Sequence, residues 1–274
     1  MRHRSRKQPL AKEDEFDAIL PLLQRLLTPI QLMGPFIIYD PYFFTVVCRL
    51  FAAYLQHPAD ASFQPSIGEV YKTVLLPSLS MASPNCAMNI EVWCGLKWFS
   101  QSDRFEMYVH WQDETLTQNP DLMFGLKKND LAIDYYLRRI AAGNVKEMSR
   151  ILTFYAYATP LYFFRSFLYK CTTFDNLIRL IVPQLKLTSS LAIDCCVFCI
   201  LDSLENRKKV LEDDHVTVER GFSLIIEFTA AVIRLLTQRA DISLLMRFVE
   251  KQLRNGDVTM MLFVSKLISD VANV

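Results

Sequence analysis

Apolar residues recur along this 274-residue chain at the three- to four-residue spacing of an α-helix. From residue 13 onward the apolar runs are separated by short polar segments, several of which pair a capping side chain with a proline: Asp40–Pro41, Asn119–Pro120 and Thr159–Pro160. Such a side chain satisfies the first backbone N–H groups of a helix, and proline fits its first turn. The chain has no sustained alternation of period two, which a half-buried strand would need. The pattern therefore predicts an all-α protein with helices of about 12 to 22 residues.

The spacing of the helix starts predicts how the helices are arranged. Starts are expected near residues 120, 144, 160, 175, 190, 217, 241 and 257. They imply helix pairs of about 30 to 45 residues, the size of HEAT-type repeats. A segment such as LAIDCCVFCILDSL (191–204) is apolar nearly all round, as expected for a helix between two neighbours. We expect a stack of antiparallel helices over residues 13–274, with a sub-boundary near residue 119.

Residues 74–93, VLLPSLSMASPNCAMNIEVW, predict a corner between two packed helices. Pro77 should kink or end the first helix, because proline removes a backbone hydrogen bond. Trp93 should fix the second helix through a large buried area, and Trp111 on the following helix is expected to pack in the same corner.

Composition favours helices and a reducing compartment. Glycine, which tight turns and phosphate-binding loops need, contributes only 7 residues, and hydrophobic residues make up 51%. The seven cysteines form an odd set without a secretory signal, so reduced thiols are expected. Residues 1–12 form a basic tail that is either a solvated terminus or a nuclear-localisation cluster. No apolar run is long enough to cross a membrane, so we expect no membrane partner.

The residue pattern predicts no catalytic, metal or cofactor site and no small-molecule substrate. Cys86, Cys94 and His110 lack the spacing of zinc ligands. Cys196 and Cys199 form a C-x-x-C without a second pair, and are expected to pack as small apolar residues. The acid–acid–histidine run at 213–215 is expected to be a turn with a helix cap. Phosphate-binding and nucleophile-elbow motifs are absent.

One surface is a candidate for binding. It is basic and consists of Lys127, Lys128, Arg138, Arg139 and Lys146. Such residues are either a solvated face or a docking face for an acidic partner or an RNA backbone. The formal net charge of +1 gives no support for attraction of the whole domain to nucleic acid.

A series of short sequence motifs in a fixed order carries a family resemblance. They include GPFIIYDPYFFTVVCRL (34–50), VLLPSLS (74–80), NVK (144–146), FDNLI (174–178) and QL-x-x-G (252–256). Between VLLPSLS and NVK, six further residues follow in the order that the family shows: Glu91, Trp93, Lys97, Arg104, Tyr108 and Trp111. This series resembles the family of the large scaffold subunit of the THO complex, subunit two, from about residue 16 to the end of the chain. The chain departs from the family pattern at Val109 and His110, where a glycine is expected before Trp111.

The resemblance implies a function that the residue pattern alone does not. The corresponding region of the family is a helical repeat similar to the middle domain of translation-initiation factor 4G, which holds the lobes of a DEAD-box RNA helicase. The implied protein is a nuclear, non-enzymatic scaffold in mRNA processing and export. Its implied partners are the other THO subunits, a DEAD-box helicase and, indirectly, RNA.

Two other hypotheses stay open at this point. One is a helical adaptor of the factor-4G type in translation or RNA decay. The other is an all-α enzyme, which would need acids such as Asp134, Asp194 and Glu227 to converge on one cavity.

Overall fold

The computed structural model of the chain describes residues 12–56, 61–81, 85–113, 119–171, 176–206, 219–236 and 239–272. Within these ranges the regular structure is helical and no strand occurs. The prediction of an all-α helical stack is confirmed. The basic tail, apart from Lys12, and the acid–acid–histidine run at 213–215 lie outside the described residues.

Helices follow one another through short turns. The N-terminal half contains α1 (Lys12–Met33), α2 (Pro41–Gln56), α3 (Gln64–Val70), α4 (Leu76–Leu79), α5 (Cys86–Leu96) and α6 (Gln101–Asp113). The remainder contains α7 (Pro120–Arg139), α8 (Val145–Ala158), α9 (Pro160–Cys171), α10 (Asn176–Ile181), α11 (Ser190–Glu205), α12 (Arg220–Leu236), α13 (Ser243–Arg254) and α14 (Met260–Ala272). Short 3-10 segments occupy Gly34–Tyr39, Ala61–Phe63 and Val182–Leu187.

Several helix starts lie where the capping residues predict them. The Asp40 carboxylate accepts a hydrogen bond from the Phe43 N–H at 3.0 Å, and the Asn119 side chain accepts from the N–H groups of Asp121 and Leu122. Asn85 and Ser189 cap α5 and α11 in the same way. These side chains satisfy N–H groups that have no partner within the helix, which explains why the chain turns there.

The turn after α7 is not closed by Gly143, the first glycine beyond the helix. Instead α7 ends at Arg139, and the Asn144 side chain binds both sides of the turn. Its amide donates to the carbonyl of Arg139 at 2.9 Å and its oxygen accepts from the Ala141 N–H at 2.7 Å. A side chain that satisfies both groups makes a left-handed glycine unnecessary.

Pro77 lies inside a continuous helical segment from Gln64 to Leu79. A π-helical turn, Tyr71–Leu75, precedes it, and the Leu76 N–H binds the carbonyl of Tyr71, five residues back. Proline lacks an N–H and its ring clashes with the carbonyl four residues earlier. The wider turn relieves both problems, so that the segment ends at Leu79, beyond the proline rather than at it.

The core is continuous across residue 119. It extends from Leu23 in α1 to Phe263 in α14, and its largest fully buried side chain is Trp111. Packed helix pairs include α2 with α5, α9 with α11, and α12 with α14. Within the described ranges, no helix is both long enough and apolar enough to cross a bilayer.

Candidate interaction surface

The predicted basic residues are all exposed and lie on two consecutive helices. Lys127, Lys128, Arg138 and Arg139 belong to α7, and Lys146 belongs to the first turn of α8. Eleven residues separate Lys127 from Arg138 and Lys128 from Arg139, which is a rotation of only about 20° on an α-helix and a rise of about 16 Å. The structure therefore places the four α7 cations on one face as two pairs.

Three large apolar side chains share that face and were missed by the sequence reasoning. Phe124 is 73% exposed, Leu131 72% and Tyr135 50%. They lie at positions i, i+7 and i+11, so the helical period puts them within about 20° of one another. We call the combined face the α7 stripe; it consists of Phe124, Lys127, Lys128, Leu131, Tyr135, Arg138 and Arg139. Their spacing is present in the sequence. Because the same helix also buries four other apolar residues, the sequence does not show which apolar positions are exposed.

The opposite face of α7 is buried against the core. Its buried residues are Leu122, Leu126, Ile133 and Leu137, which point about 180° away from the α7 stripe. A helix that borders solvent normally has one apolar face. Helix α7 has two, and the second is exposed.

Charged groups at the edge of the α7 stripe are fixed by ion pairs. The Asp134 carboxylate binds Lys170 Nζ at 2.5 Å and Arg138 Nη2 at 2.7 Å. The hydrogen bond from Lys170, helped by that from Arg138, lowers the pKa of the Asp134 carboxyl. The Arg139 guanidinium lies 3.6 Å from the centroid of the Tyr135 ring, a cation–π contact that holds both side chains on the surface.

A groove runs beside the α7 stripe, between α7 and α9. It encloses about 320 Å³ and is lined by Asp130, Tyr162, Arg165, Ser166 and Tyr169. The Ser166 hydroxyl donates to the Asp130 carboxylate at 2.6 Å, which ties the two helices together at the groove floor. Tyr169 and Arg165 are exposed at its rim.

A second groove, of about 410 Å³, lies in the N-terminal half. Glu69, Asp103 and Glu106 line it together with Lys72 and apolar groups from Phe99 and Met107. Lys72 Nζ lies 3.9 Å from the Glu69 carboxylate and 4.0 Å from that of Glu106. The lysine thus offsets part of the acidic charge.

The cysteines and acids that the sequence singled out are dispersed. Cys196 and Cys199 are buried in α11, where burial raises the pKa of both thiols, and the Cys199 thiol faces the Leu161 carbonyl at 3.7 Å. Cys86 and Cys94 are half-buried in α5. Among the residues that the structure describes, no cluster of three or more histidine, cysteine or acidic side chains could hold a metal ion.

Two of the three acids considered for an enzyme are engaged in separate ion pairs. Asp134 binds Lys170 and Arg138 at the surface, whereas Asp194 binds Arg104 in the core. The third, Glu227, is half-buried on α12.

The tryptophan corner differs from expectation in one respect. Trp111 is fully buried and its indole N–H donates to the Ser80 hydroxyl at 2.9 Å, which joins α6 to the end of the Pro77 segment. Trp93 is only half-buried, and the Arg104 guanidinium lies 5.4 Å from its ring centroid. Trp111 therefore makes the larger buried contribution, because the position of Trp93 on α5 leaves part of its ring at the surface.

Comparison with known proteins identifies the family. The model of the family described as THO complex subunit 2 N-terminus matches residues 5–150, and that of the family described as transcription- and export-related complex subunit matches residues 152–223. THO complex subunit 2 of Homo sapiens is 27% identical over 254 residues, which cover 88% of this chain and 16% of the human protein. The Mus musculus protein matches with the same identity and coverage. THO complex subunit 2 of Arabidopsis thaliana is 21% identical over 287 residues, or 97% of this chain and 16% of the plant protein.

The chain spans about one-sixth of the length of these curated relatives. The first family model covers more than half of the chain, and its match includes α1 to α7 with the whole α7 stripe. The chain belongs to the THO complex subunit 2 family.

Proposed function

We propose that this protein is a non-enzymatic scaffold subunit of a THO/TREX-type complex, which couples transcription to mRNA processing and export. It would act in the nucleus, bind other THO subunits and position a DEAD-box RNA helicase on nascent messenger ribonucleoprotein. The observation that carries the proposal is the match to the THO complex subunit 2 family over residues 5–150. The helical stack and its exposed α7 stripe agree with a role in binding rather than in catalysis.

The mechanism would be positional. A rigid surface that holds a helicase and a ribonucleoprotein raises the concentration of one near the other without any chemical step. It can also favour one helicase conformation if it binds that conformation more tightly. Partly buried contacts between the halves support this rigidity: Asn89 Nδ2 donates to the Tyr157 carbonyl, and Gln101 binds backbone groups at Asp241 and Leu244.

Affinity capture tests the proposal. The tagged chain is purified from nuclear extract treated with nuclease, so that proteins bridged only by nucleic acid are lost, and the co-purifying proteins are identified. We expect other THO subunits and a DEAD-box helicase, and a nuclear signal from the same tag by microscopy. The untagged strain is the control for background.

Recovery of translation or RNA-decay factors, together with a cytoplasmic signal from the same tag, would favour the factor-4G type of adaptor instead. Recovery of neither set would contradict the scaffold role and leave family membership as a statement of ancestry. The scaffold and the factor-4G type of adaptor are distinguishable because they predict different compartments and different partners.

A further inference from the structure

We propose that the α7 stripe docks an acidic amphipathic helix of a protein partner. This inference deepens the proposed function and rests on it for the biological setting of the partner. The binding chemistry itself follows from the exposed residues of α7, so it can be tested without any THO subunit.

The apolar part of the α7 stripe is suited to packing against another helix. Phe124, Leu131 and Tyr135 form one line about 16 Å long, and each is at least half exposed. Single exposed apolar residues are common, but three large ones aligned on one helix face favour an interaction surface. The line matches the spacing of a helix that presents apolar residues at i, i+4, i+7 and i+11.

The charges around that line specify the partner. Lys127 and Lys128 flank the line between Phe124 and Leu131, and Arg138 and Arg139 lie at its C-terminal end, about one turn beyond Tyr135. Among the residues of α7, Asp121 in the first turn is the only acidic one within about 60° of the line. Asp134 lies about 80° from the line and is paired with Lys170. A partner helix with glutamate or aspartate on both sides of its apolar line would therefore meet opposite charge beside the middle of the line and at its C-terminal end.

A protein partner fits these residues better than RNA does. The Arg139 guanidinium already covers one face of the Tyr135 ring at 3.6 Å, so that face is not open to a stacking base. Leu131 is aliphatic and gains nothing from a phosphate backbone, whereas it gains buried area against an apolar side chain.

The groove between α7 and α9 lies to one side of the docked helix, since Asp130, the α7 residue that lines it, is about 120° from the apolar line. Arg165 at the rim extends the positive charge beyond α7.

Peptide binding to the purified full chain provides the test. The probe is a fluorescent helical peptide of about 18 residues with leucine at i, i+4, i+7 and i+11 and glutamate on the flanks. The comparison probes are the same peptide with lysine for glutamate and a single-stranded uridine oligomer of similar length. Fluorescence anisotropy is measured from about 50 to about 300 mM salt, because salt screens the charge contribution.

The acidic peptide is expected to bind with micromolar affinity and the lysine peptide at least 10-fold more weakly. Leu131→Glu should weaken binding of the acidic peptide by at least 10-fold. Lys128→Glu should weaken it about 3- to 10-fold and reduce its salt dependence. Val258→Glu and Lys251→Glu are the matched controls, since both positions are exposed and lie on other helices or turns; neither should change the affinity.

The unfolding midpoint of each variant is measured to show that it is folded, which the exposure of both stripe positions favours. Equal binding of the acidic and lysine peptides, no binding of the acidic peptide, or loss of binding in the control variants would each overturn the inference. The uridine oligomer could instead bind tightly, with Leu131→Glu leaving its affinity unchanged and Lys128→Glu abolishing it. That result would show that the α7 stripe binds RNA and not an acidic helix. Failure to capture THO subunits while the acidic peptide still binds would reject the proposed function and keep the docking site.

Discussion

Arg104 and Asp194, ninety positions apart in the chain, form a two-pronged ion pair in the interior. Arg104 Nε and Nη2 donate to the two carboxylate oxygens of Asp194 at 2.8 and 2.9 Å, and the side chains are only 8% and 5% exposed. Arg104 Nη1 also donates to the Phe99 carbonyl, and the Tyr108 hydroxyl donates to Asp194. The pair joins α6 to α11 and thus the N-terminal half to the C-terminal half.

Desolvation and pairing act in opposite directions on these groups. Burial by itself lowers the pKa of the Arg104 guanidinium, but the hydrogen bonds and the charge of Asp194 outweigh it and the pKa is raised. Burial, followed by the neighbouring Asp194 charge, raises the pKa of the Tyr108 hydroxyl. Each charge therefore depends on the other, and removal of one leaves the other buried without compensation.

Arg104→Met should destabilise the fold by about 3 to 5 kcal/mol, the cost of leaving a buried carboxylate without its cation. The measurement is chemical denaturation followed by circular dichroism. Arg49→Met is the matched control, because Arg49 also binds a carboxylate with two nitrogens, at 2.6 and 2.9 Å, but at the surface. No measurable loss is expected for it, and equal losses for both variants would show that burial does not set the strength of the first pair.

The double variant Arg104→Met with Asp194→Leu should regain part of the lost stability, since no unpaired charge remains. A double variant as unstable as the sum of both single variants would mean that the two side chains act independently.

The helices, many of their caps and the family could be predicted from the sequence. The first two depend on local residue patterns, and the family depends on short motifs in a fixed order. The sequence was not sufficient for the pairing of Arg104 with Asp194. In the sequence, Arg104 is one of several residues in the family pattern, and Asp194 is a single polar residue in an apolar helix. Only the packing of α6 against α11 brings them together, and nothing local encodes a contact across ninety residues.

Only the charged part of the candidate surface could be predicted from the sequence. The five basic residues are recognisable by their charge, but Phe124, Leu131 and Tyr135 resemble core residues, because α7 also buries four other apolar side chains. Which apolar face of α7 is covered depends on the neighbouring helices. For the same reason, the sequence does not predict that Trp111 is more buried than Trp93. The burial of each depends on how the helices pack at the corner and not on residue type.

The two tryptophans should differ in their importance for stability. Trp111→Ala should cost about 3 to 5 kcal/mol, since it removes a fully buried indole and leaves the Ser80 hydroxyl without its donor. Trp93→Ala should cost roughly half as much, because part of its ring is already in water. Thermal unfolding of both variants checks the order, and a larger loss for Trp93→Ala would contradict the placement of the corner.

The seven thiols should separate into two reactive and five protected ones. Cys86 and Cys94 are half-buried, whereas Cys48, Cys171, Cys195, Cys196 and Cys199 are buried. Burial raises the pKa of each of the five buried thiols and so reduces the thiolate, which is the reactive form. Titration with a thiol reagent should show two accessible groups in the native protein and seven after denaturation. A variant with serine at positions 86 and 94 should lose the native signal, and a rapid reaction of the C-x-x-C pair in that variant would argue for a redox role.

Gly95 and Tyr71 should be energetically coupled. A methyl group added at Gly95 would lie 2.0 Å from Tyr71 Oη and 3.0 Å from Cζ, and the Tyr71 ring is held by Phe51 and Phe99 at centroid distances of 6.2 and 5.7 Å. Gly95→Ala should therefore destabilise by about 1 to 3 kcal/mol, although alanine is the better helix former. The Tyr71 hydroxyl is buried and has no hydrogen-bond partner among the described residues, so Tyr71→Phe should be neutral or slightly stabilising.

In the double variant, loss of the hydroxyl removes the closest contact, and the cost of Gly95→Ala should fall by at least about 1 kcal/mol. Denaturation of the four proteins in a double-mutant cycle measures this coupling directly. Gly143→Ala is the control, because nothing lies within 4 Å of a methyl group placed there. If the cost of Gly95→Ala is the same with tyrosine and with phenylalanine at position 71, the close packing of α5 against the π-helical turn is not what requires a glycine.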